Sequence, residues 1–394
     1  MAMNFKQIGP LLTMGLMTLP QRKGPSGVVA IGIAGVVAVL VSVLAISAGL
    51  ERTLKGSGRT DTVVLLSAGS DDESESLVSH SDYDTVVSIP DIAKGADGKP
   101  LASAEVVAVF PVKFKTSAAE GNITLRGVGA QGLALHPTIH LTDGRMFHPG
   151  LAEMVVGSGV AGQFQGFATG EHVKVGNTIW TVVGHFESHD IHDSEVLADA
   201  NIAQSAADMG GNYNTVYARL ISADRVQAFK DQVARNPTLH LEVQSESQYF
   251  AAQSAGLSGT LTVVAYVMGV IMACGALFGA IHSLYISADT RRVEMATLRA
   301  IGFGNGGVMT AFLIEALALA AFGGSVGATL AWLLFNGHTT TTMYGGLSQV
   351  VFQLQVPFKL MATGVIWACA IGLIGALIPA FRASRLPIAE ALRR

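Results

Sequence analysis

Two ionisable side chains stand inside long apolar runs and are the first candidates for chemistry. Glu315 interrupts the stretch 308–334, and His282 lies near the end of 261–286. A charged group at a helix centre costs roughly 2.5–3.5 kcal/mol on membrane-insertion scales, so such residues mark functional positions unless they are paired or interfacial. Glu315 is a candidate for proton or substrate handling, weighed against a paired or neutral carboxylate at a bundle interface. His282, close to the helix end, reads as an interfacial residue. A second concentration is His185, His189 and His192 with Asp190 and Asp193. Histidine and carboxylate can hold zinc, but the spacing H-x3-H-D-x-H-D matches no closed-site pattern and lacks the helix of H-E-x-x-H. The stretch therefore reads as a solvated polar loop, and no metal is expected. No serine or cysteine has a nucleophile's setting. The nearest approach to a P-loop, residues 95–100, has the wrong spacing and Pro100 where a hydroxyl is needed. No catalytic residue and no cofactor is expected in this chain.

Four apolar runs must carry these residues. No Asp, Glu, Lys or Arg lies between Lys23 and Glu51, between Glu246 and Asp289, or between Lys359 and Arg382, and Glu315 alone breaks the run 308–334. About 20 apolar residues cross a bilayer, so each run qualifies as a span: 24–50, 257–286, 308–334 and 360–381. The small, polar stretch 247–259 reads as a helical extension of the second span into the soluble part. Only 14% of the 394 residues are charged, against about 25% in soluble domains. The first run far exceeds the roughly 7–15 apolar residues of a signal peptide. It reads as an uncleaved anchor, although Ala45-Ile46-Ser47 mimics a cleavage site.

Charge placement orients the chain. Residues 51–256 carry a net charge of −11 and the remainder +7, the basic residues flanking the apolar runs. Lys6, Arg22 and Lys23 precede span one; Arg291, Arg292 and Arg299 follow span two; Arg382, Arg385, Arg393 and Arg394 follow span four; the loop 335–358 has neither Lys nor Arg. The positive-inside rule places the segment 1–23, the segment 287–303 and the tail 382–394 in the cytoplasm, and 51–256 with the loop 335–358 outside. Both cysteines, Cys274 and Cys369, fall in spans, so the outer domain must stand on its own core. Short β-branched or alternating stretches (62–66, 105–110, 153–156, 172–175, 180–183, 215–220 and 240–243) read as strands. Residues 223–235 read as an amphipathic helix. Residues 67–84, dense in Ser, Asp and Glu, read as a mobile loop. The fold class is thus membrane all-α, four transmembrane helices in a one-plus-three arrangement, with an inserted α+β extracytoplasmic domain. Nothing in that domain reads as a defined pocket.

Three further patterns complete the candidates. Gly275 with Gly279, and Gly323 with Gly327, put small residues four apart on one helix face, as close helix packing requires; packing within the bundle and contact with a second copy both fit. Residues 287–302 form a short helical pattern with Val293, Ala296, Ala300 and Ile301 on one apolar stripe, and suit either a membrane surface or a cytosolic docking partner. The segments R-R-x-E-x-A-x-L-R-A-I-G at 291–302, F-L-I-E-A at 312–316, G-G-S-V-G at 323–327 and the tail P-A-F-R-A-S-R-L-P-I-A-E-A-L-R at 379–393 resemble the FtsX/MacB-type ABC-transporter permease family. Its closing pattern has the second proline one place later. Gly144-Arg145, residues 153–157 and residues 182–184 resemble its outer-domain pattern.

The resemblance implies a bacterial inner-membrane permease of the mechanotransmitting type. Its partners would be a cytosolic ABC ATPase that binds ATP and Mg, a second permease copy, membrane lipid, a periplasmic adaptor and an outer-membrane channel, with no nucleic acid. The coupling helix would comprise Arg291, Arg292, Glu294, Met295, Leu298, Arg299, Ile301 and Gly302. The periplasmic domain would have a core lobe at about 60–130 and 213–250 and an inserted lobe at about 135–212. Alternatives within the same resemblance are an FtsX-like activator of extracytoplasmic cell-wall hydrolases and a lipoprotein-releasing permease.

Overall fold

The computed structural model describes residues 23–290, 304–344 and 348–384, together with Val293, Thr297 and Ala300. In chain order the elements are α1 (Lys23–Ser57), β1 (Thr62–Ser67), α2 (His80–Val87), β2 (Ala102–Lys113), β3 (Glu120–Val128), α3 (Gly132–Leu135), β4 (His140–Gly144), β5 (Glu153–Gly157) and α4 (Ser158–Gln163). Then come β6 (His172–Val175), β7 (Thr178–Glu187), β8 (Glu195–Asp199), α5 (Ala200–Ala206), β9 (Thr215–Arg219), α6 (Val226–Arg235), β10 (Leu241–Ser245) and α7 (Glu246–Thr290). The chain closes with α8 (Asn305–Phe335), β11 (Thr339–Tyr344), β12 (Ser348–Gln353) and α9 (Phe358–Ser384). Short 3-10 turns at Glu73–Glu75 and Ile191–Ser194 matter below.

The chain divides into two compact units. One contains residues 1–48, 259–338 and 354–394; the other contains 49–258 and 339–353. Four helices are long and apolar enough to cross a membrane: Ser26–Ser57 (whose end from residue 49 lies in the second unit), Glu246–His282 (whose start lies there too), Met309–Phe335 and Phe358–Arg382. Helices in lipid approach where small residues meet. A Cβ at Gly323 would lie 2.7 Å from the carbonyl oxygen of Ala30, and one at Gly327 would press on the Ala34 carbonyl. This face of α8 therefore lies directly on the backbone of α1.

The second unit is built on one sheet path, β10-β1-β9-β2-β3-β8-β5-β7-β4, with β6 also paired to β7. Long β2 joins the two ends, pairing with β9 through residues 102–105 and with β3 through residues 106–113. One face carries the main apolar core, including Ile123, Leu125, Met154, Val156, Trp180, Val182, Val196 and Ala198. Every second residue of these strands points there, as the strand period of two requires. On the opposite face, Val128, Val155, Phe186 and Leu197 form a smaller apolar cluster.

Residues 67–84 are ordered, contrary to the mobile loop that their polar composition predicts. Asp72 caps the turn at Glu73–Glu75 through Ser74 N, and Ser79 with Asp82 forms a reciprocal capping box at the start of α2. Local caps satisfy the backbone where an apolar pattern is missing. The outer 3–4 loop likewise contains the antiparallel hairpin β11–β12, with Thr339 opposite Gln353.

Candidate functional site

Seven buried polar side chains meet on the second face of the sheet. Register brings them there. Arg126 of β3 stands opposite Val107 of β2 and Leu197 of β8. Glu105 and Glu195 precede those partners by two residues and so share the face. Thr215 of β9 faces Glu105, which puts Tyr217 on the same side. Glu73, His136 and His192 complete the group from the first 3-10 turn, the end of α3 and the second 3-10 turn. All seven are buried.

Arg126 holds three carboxylates at once. Its Nε and Nη2 donate to the two oxygens of Glu195 at 2.8 Å each. Nη2 also donates to Glu73 at 2.7 Å, and Nη1 to Glu105 at 3.0 Å. The Tyr217 hydroxyl donates to Glu73 at 2.6 Å. Each histidine then takes a carboxylate: His136 Nε2 lies 3.1 Å from Glu105, and His192 Nδ1 lies 2.8 Å from Glu195. The two imidazole rings meet edge to face at 4.6 Å. Three acids thus face one arginine and two histidines.

The electrostatics follow. Burial alone would lower the basicity of His192, but Asp190 and Glu195 outweigh it and push its pKa up to about 9. Burial would raise Glu195, yet Arg126 and His192 hold it well below the usual carboxylate range. Glu105 is also held down, His136 and Arg126 prevailing over burial. Burial pushes the Tyr217 phenol well up, aided by Glu73, so it stays a hydrogen-bond donor. A group this interlocked resists the loss of any member, because a stranded buried charge costs several kcal/mol.

The bases of two long helices grip this cluster. In α7, directly after β10, Glu246 accepts the backbone N–H of Arg59 at 3.0 Å, and Ser247 N donates to the Arg59 carbonyl at 3.1 Å. Gly58, just past α1, permits that approach, since a Cβ there would lie 2.6 Å from Ser247 Cα. The Ser57 hydroxyl accepts from Ile191 N at 3.1 Å, which anchors the turn that carries His192. Tyr249 and Phe250 of α7 are buried, and the Tyr249 hydroxyl accepts from Glu73 N at 3.4 Å. The ends of α1 and α7 thus touch the turns that supply Glu73 and His192. Beside the cluster lies a cavity of about 30 Å³, bordered by Arg126, Glu73, Ser194, Tyr249 and Gln349 among others.

The residues predicted from sequence distribute differently. Arg291, Arg292, Glu294, Met295, Leu298, Arg299, Ile301 and Gly302 lie outside the described residues; Val293, Thr297 and Ala300 between them are helical and exposed. Glu315 is buried in α8 next to Ala316, which packs with Phe312, Ala376 and Ala380. His282 is exposed on α7. Among the described residues nothing lies within 4 Å of a Cβ placed at Gly275 or Gly279. The histidine stretch is not the solvated loop expected. His189 is exposed, with a φ of 59°, and His185 binds the Phe167 carbonyl at 2.7 Å, but Ser188, Asp190, His192 and Ser194 are buried. Among the described residues no group of three or more His, Cys, Asp or Glu is arranged to hold a metal. His192 serves the charge cluster instead. Sequence reading missed Arg126, Glu105, Glu73, His136 and Tyr217; a signal was available in Arg126, a lone arginine inside an otherwise apolar or small run.

The family model described as a MacB-like periplasmic core domain matches residues 26–236, more than half of the chain. The chain belongs to the FtsX/MacB-type ABC-transporter permease family. A second model, the FtsX-like permease C-terminal, matches residues 266–388. Among relatives of this permease chain, the uncharacterized ABC transporter permease YknZ of Bacillus subtilis is 23% identical over 205 residues, covering 51% of this chain and 49% of YknZ. The macrolide export ATP-binding/permease protein MacB of Campylobacter fetus is 36% identical over 111 residues, 28% of this chain and 16% of MacB. The pyoverdine export ATP-binding/permease protein PvdT of Pseudomonas entomophila is 26% identical over 259 residues, 62% of this chain and 38% of PvdT. The chain therefore spans half or less of the length of these relatives. The solved extracellular domain of YknZ aligns with 47% of this chain and 100% of that domain, at 17% identity and a TM-score of 0.36.

Proposed function

We propose that this chain is the permease subunit of an ABC transporter that turns ATP hydrolysis by a separate cytosolic ATPase into movement of its outer domain, driving export of a substrate from the periplasm or outer leaflet. The observation that carries this reading is the junction at Gly58 and Ser247, where the ends of two long apolar helices touch the turns of the buried charge cluster. Force arriving along α1 or α7 would reach Glu73 and His192 directly. The relatives support it: MacB and PvdT are named as export ATP-binding/permease proteins. The nucleotide and its Mg would belong to the partner, and residues 287–303 would dock on it from the cytoplasmic side, with both termini on that side. The transporter would work as a pair of permease copies beside a periplasmic adaptor.

Reconstitution with the cognate ATPase tests the reading. The intact permease should stimulate ATP hydrolysis, and Arg291→Glu with Arg299→Glu should abolish the stimulation. Unchanged stimulation in that variant would sink the docking assignment, and failure of the intact chain to stimulate at all would sink the transporter reading.

A further inference from the structure

The hairpin β11–β12 links α8 to α9 by short connections, Phe335 to Thr339 and Gln353 to Phe358, yet it belongs to the compact unit of the outer domain. Its seat there is built. Val350, Val351 and Phe352 are buried. The backbone N–H of Val351 donates to the Ser194 hydroxyl at 2.7 Å, and that hydroxyl donates back to the Val351 carbonyl at 3.3 Å. Ser194 itself is buried and directly precedes Glu195 of the charge cluster.

Three glycines clear space for the strand. A Cβ at Gly159, in α4, would lie 2.9 Å from Val351 Cβ. One at Gly121, in β3, would lie 2.7 Å from Gln349 Oε1, and one at Gly49, in α1, 2.6 Å from the Gln353 carbonyl. Real side-chain contacts are not that short; at Gly49 all of them are with β12, while Gly159 also clears the Asp193 carbonyl and Gly121 the Phe114 ring. Gln349 Oε1 is buried and accepts no hydrogen bond from the described residues.

We propose that the β11–β12 hairpin is a latch, a third mechanical input to the outer domain in which displacement of α8 and α9 reaches the charge cluster through Val351 and Ser194. This rests on the transporter reading above. It adds that α1 and α7 alone do not suffice.

Hydrogen exchange on the full chain with its ATPase, with and without a non-hydrolysable ATP analogue, tests the latch. In the unaltered chain the amides of 349–353 should be protected, and the analogue should change exchange in β3 and β8. Ser194→Ala removes two hydrogen bonds and should speed exchange in 349–353 by about tenfold, since each such bond contributes roughly 0.5–1.5 kcal/mol. Gly49→Val, whose side chain would strike only β12, should do the same by steric displacement, while Ser194→Thr, which keeps the hydroxyl, should remain slow. In both released variants the analogue-dependent change in β3 and β8 should vanish while stimulated ATP hydrolysis persists. Persistence of that change with the hairpin released overturns the latch and leaves the transporter reading intact, as does unchanged exchange in 349–353 in both variants. Absence of any analogue effect in the unaltered chain overturns both.

Discussion

The membrane unit and the outer domain solve the same packing problem with opposite chemistry. In the membrane unit the tight contacts are between small residues, Gly323 and Gly327 against the backbone of Ala30 and Ala34. Lipid offers no hydrophobic reward for helix association, so close backbone approach must supply the attraction. In the outer domain one sheet face carries large apolar side chains such as Trp180 and Phe164, while the other encloses Arg126 with three carboxylates. Water drives the first face together. The second face is held by geometry and mutual charge satisfaction, and it specifies which strands and turns must be in place at once. The solvent outside each unit thus decides which residues a mutation can least afford to change.

That contrast can be broken most strongly at Arg126. Arg126→Met should destabilise the outer domain by about 3–5 kcal/mol, because three buried carboxylates lose their shared partner; chemical denaturation of the full chain in detergent, followed by domain tryptophan fluorescence, would read it. An effect below 1 kcal/mol would show the cluster to be solvated. The next largest effect is with pH. The pKa of His192 is raised from 6.5 to about 9 on folding, so its stabilisation is fully present below pH 6.5 and is lost as pH climbs through 9. A shift of that size corresponds to about 3 kcal/mol. Thermal melts from pH 6 to pH 10 should show the decline, and His192→Gln should flatten it.

Gly327→Val should cost about 1–3 kcal/mol through overpacking against α1 and should loosen the membrane unit without lowering the denaturation midpoint of the outer domain. At the small end, Gly279→Val meets nothing among the described residues. It should change the stability of the isolated chain by less than about 0.5 kcal/mol, so a larger loss confined to the assembled state would assign that face to a second copy.

The same contrast explains what the sequence disclosed. Spans are legible because the absence of charge over some 20 residues has few other causes. The helices α8 and α9 extend the runs 308–334 and 360–381 only to Asn305–Phe335 and Phe358–Ser384. Strands β1, β6, β7 and β9 announce themselves through β-branched residues and alternation. Strands β3 and β8 do not: Arg126 sits in one, and Glu195 and Asp199 bound the other. The charges that make the cluster hide the strands that carry it, and no local pattern reveals that Glu73 will meet Arg126. The Ser79–Asp82 capping box was legible by its spacing, but the density of Ser and Asp around it suggested disorder. The hairpin β11–β12 was hidden too, since its residues fall between two spans and the connection reads as a loop.

The helix α7 runs from Glu246 to Thr290 without interruption, 45 residues, or about 68 Å at 1.5 Å per residue. In the proposed transporter such a rod would convey rotation as well as displacement, because a hydrogen-bonded helical backbone keeps azimuth along its length. A single residue inserted near Gly256 would turn everything beyond it by about 100°, whereas an insertion of seven would restore the phase to within roughly 20°. In the proposed transporter, twist entering the far end of this helix would leave at Glu246.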